Sequence, residues 1–179
     1  MDPLAEKYYS ISPYAYVANN PLRYIDPTGM DIWEINSRGE IEWKERSDDH
    51  RLYSLDNKGN RSSDNYITVG DRSILDNLSG KFKDGKNVYT VTSNGNDARN
   101  VFYFASDNST MEWGLQGYKS NGTLQFVLGT SHKDWYVQTT KMSQQAGFSL
   151  ENLWLDAHSH PAPDGTKGGS GVYNGEKSW

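Results

Sequence analysis

Two histidines one residue apart, His158 and His160, close the apolar run Leu153-Trp154-Leu155-Asp156-Ala157 and are followed by Pro161 and a Pro/Gly-rich stretch. Residues i and i+2 leave the same face of a β-strand, so both imidazoles can reach one ion. Pro161 ends the strand just beyond them, and the loop after a strand is where function tends to sit. The chain has no cysteine, so a thiolate zinc site and a disulfide framework are both excluded and any metal must be held by His and carboxylate. Upstream, Thr110-Met111-Glu112-Trp113-Gly114-Leu115-Gln116-Gly117 puts an acid at the head of a short strand that ends in Gly. Taken singly, a His-x-His is most often a chance surface pair and Glu112 a solvated edge carboxylate.

Taken together, the two segments resemble the JAB/JAMM (MPN) metallopeptidases. These carry Glu-x-x-Gly-x-x-x-Gly-like text on one strand and His-Ser/Thr-His-Pro on a later one. Glu112, Gly114 and Gly117 match part of the first motif, and His158, Ser159, His160 and Pro161 match all of the second. The resemblance runs over about residues 88–161 and implies Zn2+ held by His158 and His160. Such a site keeps three protein ligands and one open position, where bound water falls to a pKa near ~7. It also implies that Glu112 takes a proton from that water as general base and returns it to the leaving amine. The family's third ligand is an Asp in Ser-x-x-Asp, whose Ser helps to stabilise the oxyanion. Strict spacing lands here on Gly168 and Gly171; Ser170 would pair with Tyr173, and Ser178 with a position past Trp179. The Ser178 alignment is favoured, with Ala162 to Lys177 as a longer loop and the family fold incomplete at the C-terminus. Asp164 and Glu176, the carboxylates after His160, are the substitutes available within the chain, Asp164 being taken as the candidate metal ligand. Asp156 also gives Asp-x-His-x-His, which opens the metal sites of amidohydrolase-like and PHP phosphoesterase barrels, but those place a large domain after the motif and nineteen residues follow His160 here.

The elements that must position these residues read as follows. Ile32–Ile35 and Glu40–Trp43 alternate around Ser37-Arg38-Gly39 as a hairpin, and Leu52–Leu55 and Tyr66–Val69 flank Asn57–Asn60 as a second, weaker one. A short helix over Ile74–Leu78 follows Asp71, and a strand over Val88–Val91 ends at Asn94-Gly95. Asp97 caps a helix to Ser106 with Val101, Phe102, Phe104 and Ala105 buried. Strands at Glu112–Tyr118, Thr123–Leu128 and Trp135–Thr139, a helix near Met142–Ala146 and a buried strand Leu153–Ala157 complete the outline. His50 and His132 read as solvated loop histidines.

Residues 1–30 hold five of the twelve tyrosines and four of the six prolines. The run from Asp2 to Tyr16, then Asn19-Asn20-Pro21-Leu22-Arg23-Tyr24-Ile25-Asp26-Pro27-Thr28-Gly29, resembles the end of the RHS repeat-associated core, over nearly all of residues 2–29. In that family a Pro-x-x-x-x-Asp-Pro-x-Gly stretch, here Pro21 to Gly29, marks the junction with a variable toxin and often its self-cleavage point. The resemblance implies that Asp26 takes part in cleavage close to Met30.

At 179 residues the chain allows one domain with a real core plus a modest extra segment. Its 35% hydrophobic residues and seventeen glycines argue for short strands joined by many turns. A net charge of -5, without a Lys/Arg stripe interleaved with aromatics, gives no sign of a nucleic-acid surface. No stretch approaches the ~18 apolar residues of a membrane span, and the N-terminus has no signal-peptide pattern.

The expected fold is α+β: a β-hairpin-rich N-terminal part, then a JAB/JAMM-like (cytidine-deaminase-like) mixed sheet with flanking helices. The expected division is residues 1–30 as RHS remnant, 31–87 as β-rich linker and 88–179 as the toxin domain. The expected function is that of a C-terminal toxin module hydrolysing peptide or isopeptide bonds with zinc, secreted or delivered into a target cell as part of a larger bacterial protein. Its partners would be a protein or peptide substrate, the parent's RHS shell and a cognate immunity protein. The alternatives are an inactive, metal-free toxin fragment or binding module, and a metal-dependent nuclease toxin.

Overall fold

The computed structural model describes residues 30–47, 49–80, 86–120, 122–161 and 169–174. By its internal contacts the chain divides into Met1–Met30 and Asp31–Trp179; the second unit is an α+β assembly of two sheets and three helices among its described residues. In chain order the elements are β1 (Met30–Ile35), β2 (Ile41–Ser47), β3 (Arg51–Leu55), β4 (Arg61–Thr68), α1 (Arg72–Leu78), β5 (Val88–Thr92), α2 (Gly95–Asn108), β6 (Trp113–Ser120), β7 (Thr123–Thr130), α3 (Thr139–Gln145), β8 (Leu153–Pro161) and β9 (Gly169–Asn174).

The first sheet has the order β2-β1-β3-β4. Its two expected turns are present: Asn36 N–H donates to Glu40 O across the first, and Asp56 N–H donates to Asn60 O across the second. Beyond the sequence reading, β1 lies parallel to β3, joining the two hairpin units into one sheet. The second sheet has the order β5-β7-β6-β8-β9, and each neighbouring pair in it is antiparallel. One apolar cluster runs through both sheets and the first two helices, from Trp33, Leu52 and Ile74 to Phe102, Trp113 and Leu128. Burying a side chain of this size contributes roughly 1.5–3 kcal/mol.

Five local expectations are corrected. Helix α2 begins before Asp97, because the Asn94 side chain accepts from Asp97 N–H and makes Asn94 the cap. Asp97 instead sits in the first turn, where its Oδ2 accepts from Asp71 N–H at 2.7 Å. The expected strand Trp135–Thr139 is irregular chain running into α3, since both edges of β7 are already taken by β5 and β6. Side chains hold that segment in place of a ladder: Gln138 N–H donates to Ser131 Oγ and Asn87 Nδ2 donates to Gln138 Oε1. Within the expected loop 162–177, residues Gly169–Asn174 form β9 and pair with β8. His132 is buried rather than solvated, at a left-handed φ of 51°. His50 is half-buried, accepting from Asp31 N–H and packing on Trp33. No helix among the described residues is long and apolar enough to cross a membrane.

Candidate active site

Strands β6 and β8 carry the candidate residues, and their register decides what meets. Gly114 pairs with His158 and Gln116 with Asp156. Side chains alternate along the two strands: Leu115, Leu155 and Ala157 join the apolar cluster that contains α2, whereas Gln116, Asp156, His158 and His160 line a cleft on the other face. Continuing the register by two residues brings Glu112 opposite His160, and Glu112 Oε1 lies 3.0 Å from His160 Nδ1.

Glu112 is held from its backbone. Its N–H donates to Lys133 O, and its carbonyl accepts from Thr130 Oγ1 at 2.7 Å. Its carboxylate is 5% exposed, against 48% for the His160 ring. A carboxylate can only accept, so in this contact His160 donates from Nδ1, and the neutral form of the ring then has its lone pair on Nε2. That is the tautomer a metal-binding imidazole needs. Glu112 Oε2 has no other hydrogen-bond partner among the described residues. The His158 and His160 rings stand edge to face with centroids 4.8 Å apart.

The residue between the histidines has a different task. Ser159 is buried, and its Oγ accepts from Trp113 N–H at 3.0 Å, which ties β8 to the head of β6 beside Glu112. Trp113 Nε1 in turn donates to Ser109 Oγ, the residue that ends α2. Gly114 is required by packing, since a Cβ there would overlap Thr139 Oγ1 and the cleft wall would have to move.

Beneath the cleft lies a polar network that the sequence reading missed. Gln116, 1% exposed, donates from Nε2 to Asp156 Oδ1 at 3.0 Å. Its Oε1 accepts from Tyr118 Oη at 2.8 Å and from Ser143 Oγ at 2.7 Å. Burial pushes the Tyr118 phenol above its ordinary value, with the nearby Asp156 charge adding to it, so the phenol stays a donor. The signal available in the sequence was the even spacing of Gln116, Tyr118, Asp156 and His158 on two strands, but only pairing shows that they share a face.

A zinc ion requires three protein ligands. The two imidazoles fit it as a nitrogen pair, on one strand face with His160 set in the required tautomer. Among the described residues no three His, Asp or Glu side chains converge as a metal-holding group, so these residues supply the pair and not the third ligand. Of the other expected site residues, Ser170 falls in β9 and Met30 opens β1, while Asp26, Asp164 and Ser178 lie outside the described residues.

Comparison with curated proteins gives no match, and comparison with solved structures gives none either. The model of the family described as JAB-like toxin 1 matches residues 89–178, which include all of β5 but its first residue, both motif strands and the whole cleft. With half of its length matched in this way, the chain belongs to the JAB-like toxin family.

Proposed function

We propose that this JAB-like toxin domain is a zinc-dependent hydrolase of peptide or isopeptide bonds, carried at the C-terminal end of an RHS-type protein delivered into a target cell. A cognate immunity protein would protect the producer. The observation that supports this most is the contact between buried Glu112 and His160 at the mouth of a cleft that also holds His158.

When bound, zinc supplies an acidified water and a Lewis acid for the scissile carbonyl. His158 and His160 would hold it through ring nitrogens. Glu112 would keep Oε1 on His160 Nδ1, take the proton of the attacking water at Oε2 and give it to the leaving nitrogen. The third ligand would be Asp164 or a residue past Trp179, and Ser170 or Ser178 would assist the oxyanion. Near Met30, Asp26 would contribute to release from the RHS shell.

The experiment is zinc content and affinity of this chain, beside a version extended through its native downstream codons and a His158→Ala/His160→Ala control. Zinc held by this chain or the extended one, and lost in the control, supports the reading. Zinc held by neither overturns it in favour of a metal-free binding module.

A further inference from the structure

We propose that Asp156 makes the cleft selective for a basic peptide side chain, lysine or arginine, beside the bond to be cut. The inference rests on the reading of the cleft as a peptide site and adds what that site holds.

The described residues lining this cleft of about 330 Å³ include two carboxylates, Glu112 and Asp156, and no lysine or arginine. Glu112 is committed to His160. Asp156 is not committed in this way: Gln116 Nε2 occupies Oδ1, and Oδ2 has no hydrogen-bond partner among the described residues. Gln116 is itself fixed by the Tyr118 and Ser143 hydroxyls, so the Asp156 carboxylate is positioned before any ligand arrives and little ordering cost remains for binding.

The rest of the lining suits the same ligand. Trp135 is 72% exposed and lines the cleft together with Tyr136, the two rings in edge contact at 4.4 Å. An exposed indole attracts a cation to its face and accepts the apolar stem of a long basic side chain. A lysine ammonium or an arginine guanidinium on Asp156 Oδ2, with its stem along Trp135, satisfies both features. A neutral side chain would leave the half-buried carboxylate with less water and no partner, and an acidic one would be repelled.

The test is fluorescence anisotropy of four labelled alanine-based hexapeptides, identical except for a central lysine, arginine, norleucine or glutamate, titrated with the full chain. Lysine and arginine peptides are expected to bind about tenfold or more tightly than norleucine, by the strength of a charge-assisted hydrogen bond, with a preference that weakens as salt rises. Asp156→Asn keeps an acceptor for Gln116 and is expected to remove the preference; Asp156→Lys is expected to transfer it to the glutamate peptide. Equal binding of lysine and norleucine, an unchanged preference in Asp156→Asn, or no peptide binding overturns the inference. Zinc content and cleavage measured on the same samples separate the two readings. Charge-selective binding while neither this chain nor the extended one holds zinc or cleaves supports this inference and overturns the hydrolase reading, whereas cleavage indifferent to charge overturns this inference alone.

Discussion

Glu112 and His160 meet because the antiparallel register of β6 on β8 carries them to opposite positions, 3.0 Å apart between Oε1 and Nδ1. The contact fixes the imidazole tautomer and leaves one carboxylate oxygen for proton transfer, so two roles converge on one side chain.

Glu112→Gln separates those roles. The amide can still face His160 but takes up no proton, so zinc retention with a loss of about 10²–10⁴ in kcat is expected. Metal analysis beside a peptide-hydrolysis assay checks both halves, and near-normal turnover would remove Glu112 as the base.

Replacing Gln116 by Leu leaves the Tyr118 and Ser143 hydroxyls buried without their shared acceptor. A loss of about 1–3 kcal/mol per group left without a partner is expected in urea unfolding. Ser159→Ala removes the acceptor of Trp113 N–H and is expected to cost a similar amount.

Gly114→Ala drives a methyl group into Thr139. Overpacking of this kind costs about 1–3 kcal/mol. Thr139→Ala in the same chain removes the obstructing hydroxyl and methyl and is expected to recover most of the loss. A double-mutant cycle on unfolding free energy reads the coupling, and additive losses would show that the two residues do not press on each other.

Burial holds His132 neutral, moving its pKa down from the ordinary value of 6.5. Below that value the unfolded chain takes up a proton that the folded state refuses. The contribution of His132 to stability is therefore complete above pH about 6.5 and falls with pH until the folded pKa is reached. His132→Asn, which tolerates the left-handed φ of 51°, is expected to flatten this part of the stability profile below pH about 6.5. An unchanged slope would place the titration elsewhere.

Local pattern carried much of the outline. Alternation around Ser37-Arg38-Gly39 and Asn57–Asn60 marks hairpins because turn residues and period-two burial act within a few residues of each other. The buried face of α2 at Val101, Phe102, Phe104 and Ala105 follows from helical spacing in the same way. The Trp135–Thr139 segment misleads because Trp135, Tyr136, Val137 and Thr139 are strand-favouring residue types, while a ladder needs a free edge and β7 has none to offer. β9 escapes notice because Gly169–Asn174 has little apolar alternation and depends on β8 for its pairing.

By itself, the sequence determined the chemistry available to this protein: a histidine pair on one strand face, a carboxylate heading another strand, no thiolate, and the motif text that places it among JAB-like toxins. Tertiary structure decided which of these groups meet. Register brings Glu112 to His160 and aligns Asp156 with Gln116, because a shift of one residue between β6 and β8 would turn these side chains to opposite faces. A strand's own residues encode its faces, but the partner strand sets the register, and that partner lies some forty residues away along the chain.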